Sequence, residues 1–135
     1  LGDNNNIKVK ALNDDEKEVH VAISKLLHQL GIPSHIKGYT YIRESVFLFY
    51  KNNDAYSGIT KEIYPEVAIR YSTTASRVER AIRHAIEVSW TRGDYDLMEE
   101  IFGNSVAFDR AKPTNSEFIA TIADRLRFDK KLLTI

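Results

Sequence analysis

The stretch Ser76–Ser89 constrains the fold most, because its residues divide into two faces at helical spacing. At about 100° per residue, small and apolar side chains collect on one side of a helix. That side comprises Val78, Ala81, Ile82, Ala85, Ile86, Val88 and Ser89. The opposite side comprises Ser76, Arg77, Glu79, Arg80, Arg83, His84 and Glu87. The first face must pack on other helices, and the second is unusually rich in arginine.

Helical patterns fill the rest of the chain, and no segment alternates convincingly as a strand. Capping boxes are predicted at Asn13 with Glu16 and at Thr114 with Glu117. Pro65 either kinks one helix or lies in the first turn of a new one. The predicted helices cover 13–30, Tyr39–Tyr50, Thr60–Tyr71, Thr74–Arg92, Tyr95–Phe102 and Asn115–Arg127.

The length of 135 residues and the 43% hydrophobic content fit a single domain with a real core. The polar, asparagine-rich residues 1–12 are interpreted as a flexible linker end, and residues 13–135 as the folded domain. The predicted fold class is therefore all-α, a compact bundle of about six helices that contains a helix-turn-helix.

Several classes of function are disfavoured by what the sequence lacks. Lysine plus arginine and aspartate plus glutamate both number 19, so a non-specific nucleic-acid coat is not indicated. The absence of cysteine excludes disulfides and is compatible with a cytoplasmic location. The apolar run Val46–Tyr50 is too short to cross a membrane. We find no phosphate loop, no nucleophile triad, no cofactor motif and no paired metal ligands, and therefore expect no enzyme, no cofactor and no metal.

The helix before the arginine-rich segment adds a second pattern. Ala68 lies ten residues before Val78, and a polar break containing Ser72 separates them. A helix-turn-helix needs a small residue on its first helix and an apolar residue, such as Val78 or Ile82, on the second, so that the two can cross closely. The spacing therefore predicts that Thr74–Arg92 is a recognition helix.

The residue types on the polar face suit the edges of base pairs. The planar fork of an arginine matches the two acceptors of guanine, and a carboxylate such as that of Glu79 can accept from the amino group of cytosine. Thr73, Thr74 and Ser76 lie where the start of a helix would meet backbone phosphates.

Two alternatives stay open at this point. A charged helix face is often simply solvated, or it meets a protein partner in a helical interaction module. If Ser76 were the N-cap, Glu79 would close a capping box instead of reaching bases, whereas a helix start near Thr74 would leave it free.

Three separated strings resemble the C-terminal effector domain of the stage-zero sporulation protein A family. They are Thr73–Val88, Gly31–Tyr39 and Ala111–Ala120, and the likeness extends over roughly Asp14–Phe128. The loop Lys51–Gly58 and the stretch Asp94–Arg110 are less alike.

The resemblance implies a bacterial response regulator of a two-component system that controls entry into sporulation as an activator or repressor. In that family, phosphorylation of an N-terminal receiver domain, which this chain does not include, promotes dimerisation on tandem promoter boxes with a TGTCGAA-like core in double-stranded DNA. The resemblance assigns base reading to Arg77, Glu79 and Arg80, and supporting or backbone contacts to Arg83 and His84. It also implies a contact with the sigma subunit of RNA polymerase through residues 93–106.

Overall fold

The computed structural model describes residues 14–52, 58–103 and 112–133. Within these ranges the chain is helical and contains no strand, so the predicted all-α class is confirmed. The six α-helices are α1 (Asp14–Gln29), α2 (Lys37–Asn52), α3 (Tyr64–Arg70), α4 (Ala75–Arg92), α5 (Tyr95–Phe102) and α6 (Asn115–Leu133). A π-helical turn, Ile59–Ile63, leads into α3.

Most of the predicted helix ends agree with the structure. Pro65 lies in the first turn of α3, which follows the π-helical turn directly, since Ile63 and Tyr64 both keep helical backbone angles. The capping box before α6 is present: the amide of Thr114 donates to Glu117 Oε1 at 2.8 Å, and the amide of Glu117 donates to Thr114 Oγ1 at 3.1 Å. The predicted cap at Asn13 and the linker at 1–12 lie outside the described residues.

Two helices are longer than the sequence pattern predicts. α2 begins at Lys37 rather than Tyr39 and continues to Asn52. α6 continues past Arg127 to Leu133, because no glycine or proline follows Arg127 to end it. The apolar pattern weakens there, but the backbone remains helical.

The second helix, α2, is the centre of the bundle and packs against α1, α4 and α6. Most of its residues between Gly38 and Leu48 are buried, including Ile42 and Val46. Gly38, at the start of α2, permits a very close crossing with α4. A Cβ atom at Gly38 would lie 2.3 Å from the carbonyl oxygen of Ala81 and 2.7 Å from the Cβ of Ala85.

The C-terminal end of α4 is fixed against the end of α1. The hydroxyl of Ser89 is fully buried and donates to the carbonyl of Leu30 at 2.5 Å. Gly31 has a left-handed backbone with φ of 83°, and a Cβ there would lie 2.8 Å from the Cα of Gly93. The two helix ends can therefore meet only because both positions lack a side chain.

An aromatic cluster joins α4 to the last two helices. Trp90 contacts Phe102 of α5 edge-on at 5.3 Å between ring centroids, and Phe102 stacks on Phe118 of α6 at 5.2 Å. Trp90 thus serves the packing of α4.

Candidate nucleic-acid interface

The helices α3 and α4 form the helix-turn-helix that the sequence predicts. α3 packs against α4, and Ala68 of α3 and Val78 and Ile82 of α4 are all buried. The turn between them is closed by a hydrogen bond from the amide of Thr73 to the carbonyl of Ala68 at 2.9 Å. Ser72 has φ of 53°, a left-handed conformation that explains why glycine is common at this position of such turns.

Thr74 is the N-cap of α4, which decides between the two possible starts of the helix. Its backbone is extended, and its hydroxyl accepts a hydrogen bond from the amide of Arg77 at 3.2 Å. Because the cap precedes Ser76, Glu79 does not close a capping box with Ser76. The side chain of Glu79 is thus available for another role.

The two predicted faces of α4 are present in the structure. On the packing face, Ala81 and Val88 are half-buried and the others are buried, namely Val78, Ile82, Ala85, Ile86 and Ser89. On the polar face, Glu79 is half-buried and the others are exposed, namely Ser76, Arg77, Arg80, Arg83, His84 and Glu87. Ahead of the helix, Thr74 is exposed and Thr73 is half-buried.

The arginines of the polar face fall into two groups. Arg83 donates to the Glu79 carboxylate one turn earlier, so its guanidinium is partly committed within the helix. Arg77 and Arg80 make no ion pair with any residue in the described ranges, and both are exposed. Two full guanidinium forks therefore face solvent from the first two turns of α4.

Glu79 is held more firmly than its surface position suggests. Besides Arg83, it is bound by Asn115, whose side-chain amide donates to the Glu79 carbonyl at 3.0 Å and to Glu79 Oε2 at 3.4 Å. Asn115 is the first residue of α6 and lies 36 positions away in the sequence. No pattern in the sequence predicts this contact: the capping box locates the start of α6, but nothing local places that start beside Glu79.

A groove of about 880 Å³ runs between α4 and the start of α6. Its walls include Tyr64, Glu79, Arg83, Lys112 and Asn115. The ammonium of Lys112 lies 3.7 Å from the carboxylate of Glu87, a second contact that the sequence pattern did not reveal. Burial raises the pKa of the Tyr64 phenol; the Asn115 side chain opposes this rise, the negative charge of Glu79 adds to it, and Arg83 opposes it.

The comparison with known families agrees with this geometry. A family model described as "Sporulation initiation factor Spo0A C terminal" matches residues 23–126. The chain belongs to this family. It is accordingly the DNA-binding effector domain of a sporulation transcription factor, and not an enzyme.

The match begins within α1 and ends within α6, so it includes the helix-turn-helix and the helices that support it. None of the helices in the described ranges has the length and apolarity needed to span a bilayer. In the same ranges, no three side chains of the histidine, aspartate or glutamate type come together as metal ligands.

Proposed function

We propose that this Spo0A C-terminal domain reads tandem promoter boxes with a TGTCGAA-like core in double-stranded DNA, with α4 in the major groove. Arg77 and Arg80 would bind guanines, and Glu79 would accept from the amino group of cytosine. By this means the protein activates some promoters and represses others at the entry into sporulation.

The observation that carries the proposal is that two arginines of α4 are exposed and form no ion pair with a described residue. Arg77 and Arg80 are exposed and unpaired among the described residues, while the apolar face of the same helix is buried. A guanidinium that is already tied into an ion pair would have to exchange that partner for a base, whereas these two would not. They also lie in the first two turns, the part of a recognition helix that contacts base edges in helix-turn-helix proteins.

The remaining predicted site residues would support this docking. Thr73, Thr74 and Ser76 flank the N-terminal end of α4, where backbone amides favour a phosphate. Arg83 and His84 are exposed one turn further along and would contact the backbone or hold neighbouring groups in place.

The assembly is the second part of the proposal. A second copy of the domain would bind the adjacent box, and a phosphorylated N-terminal receiver domain would promote this pairing in the cytoplasm. Residues 93–106 would contact the sigma subunit of RNA polymerase. The described part of that stretch includes α5, whose exposed Asp96 and Glu99 favour a basic partner segment.

A binding experiment with three duplexes tests the proposal. The 135-residue chain is titrated at physiological salt against duplexes that carry two boxes, one box or a scrambled sequence. We expect at least tenfold tighter binding to the tandem boxes than to the scrambled duplex, with the single box in between. Equal binding to all three duplexes would show that the domain does not read this box, and equal binding to one and two boxes would refute the paired assembly.

A further inference from the structure

We propose that Asn115, on α6, is a positioning residue for Glu79 and thereby determines how strongly the domain prefers cytosine at one position of its box. This inference rests on the proposed function, because it assigns a partner to one of the base-reading side chains. It concerns a residue outside the helix-turn-helix, on a different helix from every predicted site residue.

The geometry is that of a clamp with two points of attachment. The amide nitrogen of Asn115 reaches both the main-chain carbonyl of Glu79, at 3.0 Å, and its Oε2 atom, at 3.4 Å. One donor group thus fixes the side chain relative to its own backbone. The carboxylate of a solvent-exposed glutamate would otherwise sample several rotamers, at an entropic cost when it binds a base.

The two oxygen atoms of Glu79 have different surroundings. Arg83 and Asn115 both donate to Oε2. Oε1 accepts no hydrogen bond from a residue in the described ranges, so it retains its full capacity to accept the amino hydrogen of a cytosine. The hydrogen bonds from Arg83 and Asn115 to Oε2 therefore orient the carboxylate and leave Oε1 available to accept from the base.

The position of Asn115 is itself well determined. The reciprocal capping box of Thr114 and Glu117 fixes the start of α6. Phe118, one turn into α6, is fully buried against the aromatic cluster. A residue anchored by an independent helix can restrain Glu79 in a way that a neighbour on α4 could not, because it does not move with α4.

The substitution Asn115→Asp separates positioning from folding. Aspartate has nearly the same shape and is favourable in the first turn of a helix, so α6 should form normally. Its carboxylate cannot donate to Glu79 and would repel it. Asn115→Gln keeps the donor on a longer stem and tests for partial rescue, and Ser116→Ala, at the exposed neighbouring position, is the matched control.

The readout is the ratio of affinities for single-base-pair variants of the box, measured with the whole 135-residue chain. This ratio does not depend on the fraction of protein that is folded. We expect Asn115→Asp to reduce the preference at one cytosine about tenfold. That cytosine should be the one at which Glu79→Gln loses preference, and preference at the guanines should not change. Asn115→Gln should lose less of the preference for that cytosine, and Ser116→Ala should keep the wild-type ratio of affinities.

A double-mutant cycle and a DNA-free measurement complete the test. In a Glu79→Gln background, Asn115→Asp should have little further effect on the ratio, since coupled residues are not additive. An unchanged ratio for Asn115→Asp, or a uniform loss at all positions of the box, would overturn the positioning role.

If even the wild-type chain shows no preference for the box, the proposed base reading is refuted. The carbon NMR shift of the Glu79 carboxylate, measured in protein without DNA, then tests separately whether Asn115 binds Glu79. The shift should change in Asn115→Asp and not in Ser116→Ala. No change would overturn the clamp as well.

Discussion

The two halves of α4 lie in contrasting surroundings although they belong to one continuous helix. In residues 75–84, Arg77 and Arg80 extend into solvent without an ion pair to a described residue. In residues 85–92, Ser89 is buried against the end of α1 and Trp90 packs on α5. The second half is fixed against the end of α1 and against α5, whereas the first half carries the two exposed guanidinium groups that form no ion pair with a described residue. Substitutions in and around the two halves should therefore separate stability from DNA preference.

The largest expected effect is on stability and comes from the contact that fixes the second half. Gly31→Ala would place a Cβ 2.8 Å from Gly93 on a backbone with φ of 83°. We expect the free energy of unfolding to fall by about 2–4 kcal/mol in urea titrations, because a strained conformation and a steric clash combine. The folded fraction should keep its preference for the box.

Gly58→Ala is the matched control for this prediction. Gly58 has an extended backbone with φ of 179°, and a Cβ there would meet no atom of the described residues within 4 Å. Its free energy of unfolding should stay within about 1 kcal/mol of the wild type. Similar losses in the two variants would show that the contact between the ends of α1 and α4 is not what stabilises the second half.

The next largest effect is a loss of DNA affinity from a substitution in the first half of α4, with no change in stability. Arg80→Ala removes an exposed side chain, so the free energy of unfolding should change by less than about 0.5 kcal/mol. Binding to the box should weaken by about 1–3 kcal/mol, with loss of preference at one guanine. Fluorescence anisotropy with box and scrambled duplexes measures both quantities.

Arg92→Ala provides the comparison at the other end of the same helix. Arg92 is also exposed, but it lies in the last turn, far from the N-terminal end that would enter the groove. Its removal should leave the box preference intact. If Arg80→Ala weakened binding to box and scrambled DNA equally, Arg80 would be a phosphate contact rather than a base reader.

The same contrast explains how much of the molecule the sequence could predict. The faces of α4 were predictable because burial on a helix follows a local period, and Val78, Ile82 and Ala85 carry that period in the sequence. The choice between Thr74 and Ser76 as the cap was not, since both are good capping residues and only the backbone conformation distinguishes them. The start of α6 was predicted from its capping box.

Contacts between distant segments could not be predicted in this way. Asn115 and Glu79 meet across 36 residues, and Ser89 meets Leu30 across 59. Neither pair has a periodic or spacing pattern, because each depends on how complete helices pack. The sequence therefore indicated which residues of α4 face outward, but not which of them are held by other helices.

A smaller effect should come from the cap of the first half. Thr74→Ala removes the oxygen that accepts from the amide of Arg77, and we expect a loss of about 0.5–2 kcal/mol in the free energy of unfolding. Thr74→Ser keeps that oxygen and should retain most of the stability. Hydrogen exchange of the Arg77 amide should accelerate in the alanine variant alone. Equal losses in the two variants would mean that the threonine methyl, and not the cap, provides the stabilisation.

The smallest expected effect is a decline of the free energy of unfolding at alkaline pH, which comes from two tyrosines. Burial raises the pKa of Tyr64 above its ordinary value of 10.0, and the partial burial of Tyr71, which is 38% exposed, raises its pKa as well. A raised pKa in the folded state gives stability that is fully present below the unfolded pKa and is lost as the pH rises through the folded pKa. The free energy of unfolding should therefore decline at pH values above about 10, where the unfolded phenols ionise first.

Tyr64→Phe tests how much of this decline comes from the Tyr64 phenol, which lines the groove beside α4. The variant has no phenol to ionise beside Glu79, so its free energy of unfolding should fall less steeply between pH 9 and pH 11 in urea titrations. Tyr71→Phe should remove a separate share of the decline, because the charges that act on the Tyr71 phenol are those of Glu44, Arg43 and Arg70, and not those of Glu79 and Arg83. The double variant should then be flatter than either single one. If the Tyr64→Phe curve ran parallel to that of the wild type, the groove between α4 and the start of α6 would not disfavour the tyrosinate, and the alkaline sensitivity would have to arise elsewhere in the bundle.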